Sequence, residues 1–201
     1  TLACSSLSQI GFILVGIGMQ GVLGEHNALA VDGTILHLTN HTIVKLILFM
    51  STGIIYFHTR NLNLNHIRGY GKHKPLLMAI FAMGALGVMG VPFWNGYISK
   101  TLIHESIVEE IALLAEAGKS VTQMKVIEYL FLFAGGLTVA YMTKLFVAVF
   151  IEKPDEQHQS QKEYMNIVSK ILLCFCAAIP VAFGIFPKQT QGMIAQLGRG
   201  F

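Results

Sequence analysis

Three side chains able to carry protons recur at one-turn spacing in this sequence: His37, His41 and Lys45. Positions four apart share one face of a helix, so the three form a stripe. At about 1.5 Å per residue that stripe is about 12 Å long, and Asn40 and Ser51 add polar groups to the same segment. The stripe sits in the apolar run Thr34–Phe57, with Lys45 11 residues from one end and 12 from the other. A lysine near a helix end can snorkel to the headgroups, but one at the centre has no such exit. Placing it there costs about 2.5–3.5 kcal/mol, a cost normally met where the amine faces a bundle interior or a hydrated cavity. An amine so placed beside two imidazoles, which titrate near neutral pH, has the chemistry of a proton relay. The alternative is a lysine paired with an acid elsewhere and histidines satisfied by backbone carbonyls.

A second constellation follows at Gly90–Lys100. Pro92 and Gly96 within an apolar stretch predict a broken helix, which lipid tolerates only where the freed backbone groups line protein or water. Broken helices are where transporters place ion sites. Lys100 comes directly after, with His104 one turn on and Glu105 beside it; the alternative is an interfacial lysine closing a span. Lys144 is a lesser candidate, seven residues from Ile151 and so within snorkelling reach of an interface. Glu128, at the start of its span, reads as an interface residue.

The elements that must position these residues follow from composition. Of 201 residues 53% are hydrophobic and 12% charged, about half the charge of a soluble domain. That excludes a disordered chain, and three scattered Cys exclude a disulfide scaffold. A net charge of +3 gives no case for nucleic acid. The expectation is an all-α polytopic transmembrane bundle of five to six spans with one broken helix. The spans are placed near 5–23, 34–57, 76–91, 94–117, 127–151 and 166–186, in a single membrane domain over 1–201. The first residue is Thr1, and the chain reads as a fragment of a longer polypeptide. The His58–Pro75 connection carries Arg60, Arg68, Lys72 and Lys74 and would be cytoplasmic by the positive-inside rule, whereas 152–164 holds four acids and two Lys. Gly84, Gly87, Gly90 and the Gly135–Gly136 pair predict close helix packing.

Three motifs are decoys. Gly16–Gly21 fits GxGxxG but opens no amphipathic helix, and Asp32 comes too early for a dinucleotide site. The Asn40 sequon lies inside an apolar span. Cys174 and Cys176 point to opposite faces of a helix, which suits neither metal nor redox chemistry. The chain itself is expected to carry no cofactor, metal or catalytic site.

These motifs, in order over about Leu2–Phe150, resemble the antiporter-like proton-conducting membrane subunits shared by respiratory complex I, Mrp-type sodium/proton antiporters and membrane-bound hydrogenases. Cys4–Phe12 (CSSLSQIGF) is similar to the family's YSSISQ run, and His37–Lys45 to its HLxxHAxFK helix. Gly69–Pro75 resembles the loop before the next helix. Gly90–Lys100 (GVPFWNGYISK) resembles the GIPPxxGFxSK broken helix, and Tyr141–Lys144 a YxxR or YxxK motif. The chain departs from the pattern at Phe93, where a second Pro is usual, at the bulky Trp94, and at Thr42, where Ala is usual.

The resemblance implies that Lys45 is the central relay lysine of the second half-channel and Lys100 the broken-helix lysine leading to the outlet. His37 and His41 would join the path. It also implies about one antiporter-type inverted repeat plus following helices, with the first half-channel upstream. The function implied is proton translocation within a complex I-like NADH:quinone oxidoreductase or a related hydrogenase. The alternatives are an Mrp-type Na+/H+ antiporter subunit and a non-conducting scaffold. Implied partners are other membrane subunits, the lipid bilayer and a peripheral redox arm; the implied location is a bacterial or archaeal cell membrane or the mitochondrial inner membrane.

Overall fold

The computed structural model describes residues 1–153 and 165–186, with 189 and 192 as single positions. Six α-helices account for most of them: α1 Leu2–Leu23, α2 Ala28–Thr59, α3 Pro75–Met89, α4 Asn95–Glu116, α5 Thr122–Phe146 and α6 Ile167–Ile185. A 3-10 turn, Gly24–His26, links α1 to α2, and α5 runs on into a π-helical turn at Val147–Ile151. The acidic connection over 154–164 lies outside the described residues. No strand occurs among the described residues.

Four helical segments are long and apolar enough to cross a membrane: Leu2–His26, Ala28–Thr59, Thr122–Ile151 and Ile167–Ile185. Helix α3 is apolar but short, and α4 carries four Glu. The chain is therefore a multi-pass membrane protein. Its outward faces fit that setting: Leu7, Leu14, Phe133, Leu137, Ile171 and Phe175 are all exposed.

Helix α2 is the centre, packed against α1, α3, α4 and α6. Lipid is as apolar as the side chains, so close approach and van der Waals contact must hold such helices together. Glycine supplies the approach. A Cβ on Gly84 would come 3.0 Å from Leu48, one on Gly87 2.6 Å from Val44, and one on Gly33 2.9 Å from the backbone of Ile103. The expectation of close packing at Gly135–Gly136 is corrected: nothing lies within 4 Å of either, because Gly136 is exposed and the half-buried Gly135 borders a cavity.

These contacts also give the topology. Proceeding along α2 through Gly33, His37, Asn40, Val44 and Leu48, the facing residues are Ile103, Ser99, Asn95, Gly87 and Gly84. The order falls steadily across the gap between α3 and α4. The two are thus one discontinuous rod, antiparallel to α2, broken opposite the stretch between Asn40 and Val44. The helical conformation ends before Pro92. Gly90 adopts φ 79°, the left-handed C-terminal cap that glycine takes at little cost. Phe93 takes φ 74°, which strains a residue with a Cβ. A Cβ on Gly96 would land on the Gly87 carbonyl oxygen, so the rod can fold this tightly only with glycine there.

Candidate functional site

The break frees the last carbonyls of α3, and a cation fills the role of their missing donors. Lys100 reaches back one helix piece to donate to the carbonyl oxygens of Val88 (2.8 Å) and Met89 (3.4 Å). A positive charge at a helix C-terminus also meets the negative end of the helix dipole. The amine lies 5.0 Å from the Phe12 ring centroid on α1. Lys100 is thereby brought against the break.

Lys45 is 5% exposed and donates to the Leu2 carbonyl oxygen at 2.9 Å, with Phe49 6.0 Å from its amine. Among the described residues the two ion pairs are Arg68–Glu152 and His104–Glu128, so neither Lys45 nor Lys100 is matched by a carboxylate. Two buried or half-buried ammonium groups held by carbonyls alone are costly for a purely structural part.

Between the lysines lies a polar seam. His37 is buried, its Nδ1 2.9 Å from Ser99 Oγ, and that hydroxyl also reaches the Gly96 carbonyl at 3.3 Å. Asn40 Nδ2 donates to the Asn95 carbonyl oxygen at 2.9 Å, and Asn95 Nδ2 returns a bond to Asn40 Oδ1 at 3.0 Å. The Nε2 atoms of His37 and His41 and Oδ1 of Asn95 are buried without a protein partner. The order Lys45, His41, His37, Lys100 spans the break, and Nε2 of each imidazole has no protein partner.

Lys144 is on the exposed face of α5, apart from this seam, while its neighbour Tyr141 is bonded to Ser5 Oγ at 2.6 Å. Pro92 is exposed beyond the end of α3, and Gly96 is buried at the start of α4. Gly16–Gly21 is uninterrupted α1 helix. Cys174 and Cys176 on α6 are free thiols, and among the described residues no three His, Cys, Asp or Glu gather as a metal would require. Sequence reasoning missed the roles of Asn95 and Ser99, the His104–Glu128 contact at 3.2 Å, and the Gln9–Thr138 bond at 3.5 Å. Each joins residues distant in the chain, and spacing carries no signal for that.

The helical membrane domain thus holds one lysine amine against the break of a discontinuous helix. Residues 1–124 match the model described as NADH:quinone oxidoreductase/Mrp antiporter, transmembrane, and the chain belongs to that family. It is 27% identical to the antiporter subunit mnhA2 of Staphylococcus aureus, over 99% of this chain and 26% of that protein. Against the NAD(P)H-quinone oxidoreductase chain 4 1 of Synechococcus elongatus it is 26% identical, over 94% of this chain and 33% of the relative. Formate hydrogenlyase subunit 3 of Escherichia coli is likewise 26% identical, over 89% and 30%. The fold matches a chain of the Mrp complex from Dietzia sp. DQ12-45-1b with TM-score 0.71 at 19% identity, over 94% of this chain and 40% of that one. The chain thus spans about a quarter to two fifths of the length of these relatives. It is an antiporter-like membrane subunit.

Proposed function

We propose that this chain carries a proton-conducting half-channel, in which protons pass between Lys45 and Lys100 by way of His41, His37 and water. The observation that carries the reading is the pair of lysine amines bound to backbone carbonyls, without carboxylates, at the two ends of a seam with unpaired imidazole nitrogens. A proton arriving at one amine disfavours the charge on the next station, so charge changes elsewhere in a complex can push protons along the line. Lys144 is proposed as a secondary station toward the outer face of α5. No cofactor is assigned to this chain; electron carriers would belong to a peripheral arm in the redox-driven complexes.

The parent assembly is read as a complex I-like NADH:quinone oxidoreductase or related hydrogenase, or equally as an Mrp-type antiporter, with other membrane subunits as partners. The relatives from Staphylococcus aureus and Synechococcus elongatus favour a bacterial cell membrane. The test is Lys45→Ala in the complete subunit, within its complex in sealed vesicles, followed with a pH-sensitive dye. Transport is expected to fall about a hundredfold or more, the scale of losing a proton-transfer group. Unchanged transport would instead establish a scaffold. Requirement for Na+ in the same vesicles separates the antiporter from the proton-only reading.

A further inference from the structure

Beside Lys100 a cavity of about 210 Å³ lies between α4 and α5, bordered by Tyr97, Lys100, Thr101 and His104 and by Leu132 and Gly135. It has space for several water molecules at about 30 Å³ each, and its rim offers an amine, two hydroxyls and an imidazole to hold them. The wall on the α1 side is aromatic: Phe12 stacks edge-on with Phe131 at 4.8 Å, and Phe131 lies 6.1 Å from the His104 ring. On the far side of His104, its Nε2 meets Glu128 Oε1 at 3.2 Å, both side chains about one-quarter exposed. This contact lies within the helical segments, whereas the Arg68–Glu152 ion pair sits at their ends.

We infer that the His104–Glu128 pair takes protons from Lys100 through this cavity and carries the path from α4 onto α5. The inference rests on the half-channel reading above and extends it beyond the broken helix. Lys100 gives a proton to the water chain, Nδ1 of His104 accepts one, and the Nε2 proton passes to Glu128 Oε1. One proton moves and no electrons do; Glu128 then holds it as a neutral carboxyl group. The direction is outward: α4 runs 12 residues past His104, about 18 Å, to the end it shares with the start of α5.

Glu128→Gln decides the matter, because Gln keeps an oxygen to accept the His104 hydrogen bond but cannot carry the proton. Transport is measured in the complete subunit within its complex, beside Glu128→Asp, Lys45→Ala and Lys100→Ala, with assembly judged from subunit content. The expected result is inactive Lys100→Ala, transport at least about tenfold lower in assembled Glu128→Gln, and substantial recovery in Glu128→Asp. Inactive Lys100→Ala with Glu128→Gln near the wild-type rate overturns this inference and leaves the half-channel standing. Full transport in both lysine variants overturns the half-channel and the inference together. Where Glu128→Gln fails to assemble, His104→Gln is read in the same way: an assembled, slow variant supports the path, and a fast one ends it.

Discussion

Lys45 sets two effects of similar size against each other. A charge-assisted hydrogen bond is worth about 1.5–3 kcal/mol, and an ammonium at mid-span costs about 2.5–3.5 kcal/mol. The Leu2 carbonyl that receives the bond is also approached by Ser6 Oγ at 3.3 Å, so it would not be orphaned without the amine. Lys45→Met is therefore expected to leave the thermal stability of the purified complex unchanged or raised by up to about 2 kcal/mol, while transport is lost. A loss of stability above about 2 kcal/mol would mean that the lysine is there as glue. The asparagine pair should behave in the opposite way. Asn40→Leu strands the Asn95 amide in a buried setting, at about 1–3 kcal/mol. Thermal unfolding checks both. The stripe of His37, His41 and Lys45 was legible because i, i+4 spacing is a local property of one helix. The residues that complete it, Asn95 and Ser99, lie more than fifty positions away and enter through tertiary packing.

At the scale of elements, the break between α3 and α4 is the device that makes Lys100 a site residue. Pro92 and the glycines forecast an interruption, but the helix ends at Met89, three residues before Pro92, because Gly90 takes the left-handed cap. The proximity of the two pieces depends on Gly96, whose missing Cβ leaves room for the Gly87 carbonyl oxygen. Gly96→Ala must push backbone away from backbone, and should lower stability and displace Lys100 from Val88, with transport falling alongside. Gly11→Ala is the control, having nothing within 4 Å, and should leave both within error. Phe93 tests the strain itself. It is 76% exposed with φ 74°, so Phe93→Gly gives up little burial and should stabilise the break by about 1 kcal/mol. The docking of α6 on this segment, where Gly184 abuts the Phe93 carbonyl, had no trace in the local pattern of either stretch.

Across the whole molecule, α3 is held at one end and divided at the other. The loop before it is fastened to the π-helical end of α5: Gly69 N–H donates to the Ala148 carbonyl and Gly71 N–H to that of Val149, each at 2.9 Å. Arg68 pairs with Glu152 just past that turn, and Phe150 packs over Gly71 and against Phe81. The tether thus fixes the end of the rod opposite the break. The hydrogen bond from Arg68 holds the Glu152 carboxyl below its ordinary value; desolvation opposes it, and the Arg68 charge adds a smaller lowering effect. A carboxyl group lowered on folding adds stability that is fully present above its unfolded value and disappears as the pH falls through its folded value. Wild type and Glu152→Gln should therefore differ in thermal stability at neutral pH, with wild type the higher, and converge on the acid side of the ordinary carboxylate range. The two backbone bonds do not titrate in that range, so the variant should keep its fold and its transport. A gap that persists undiminished in acid would show that Arg68 and Glu152 are not the titrating tether.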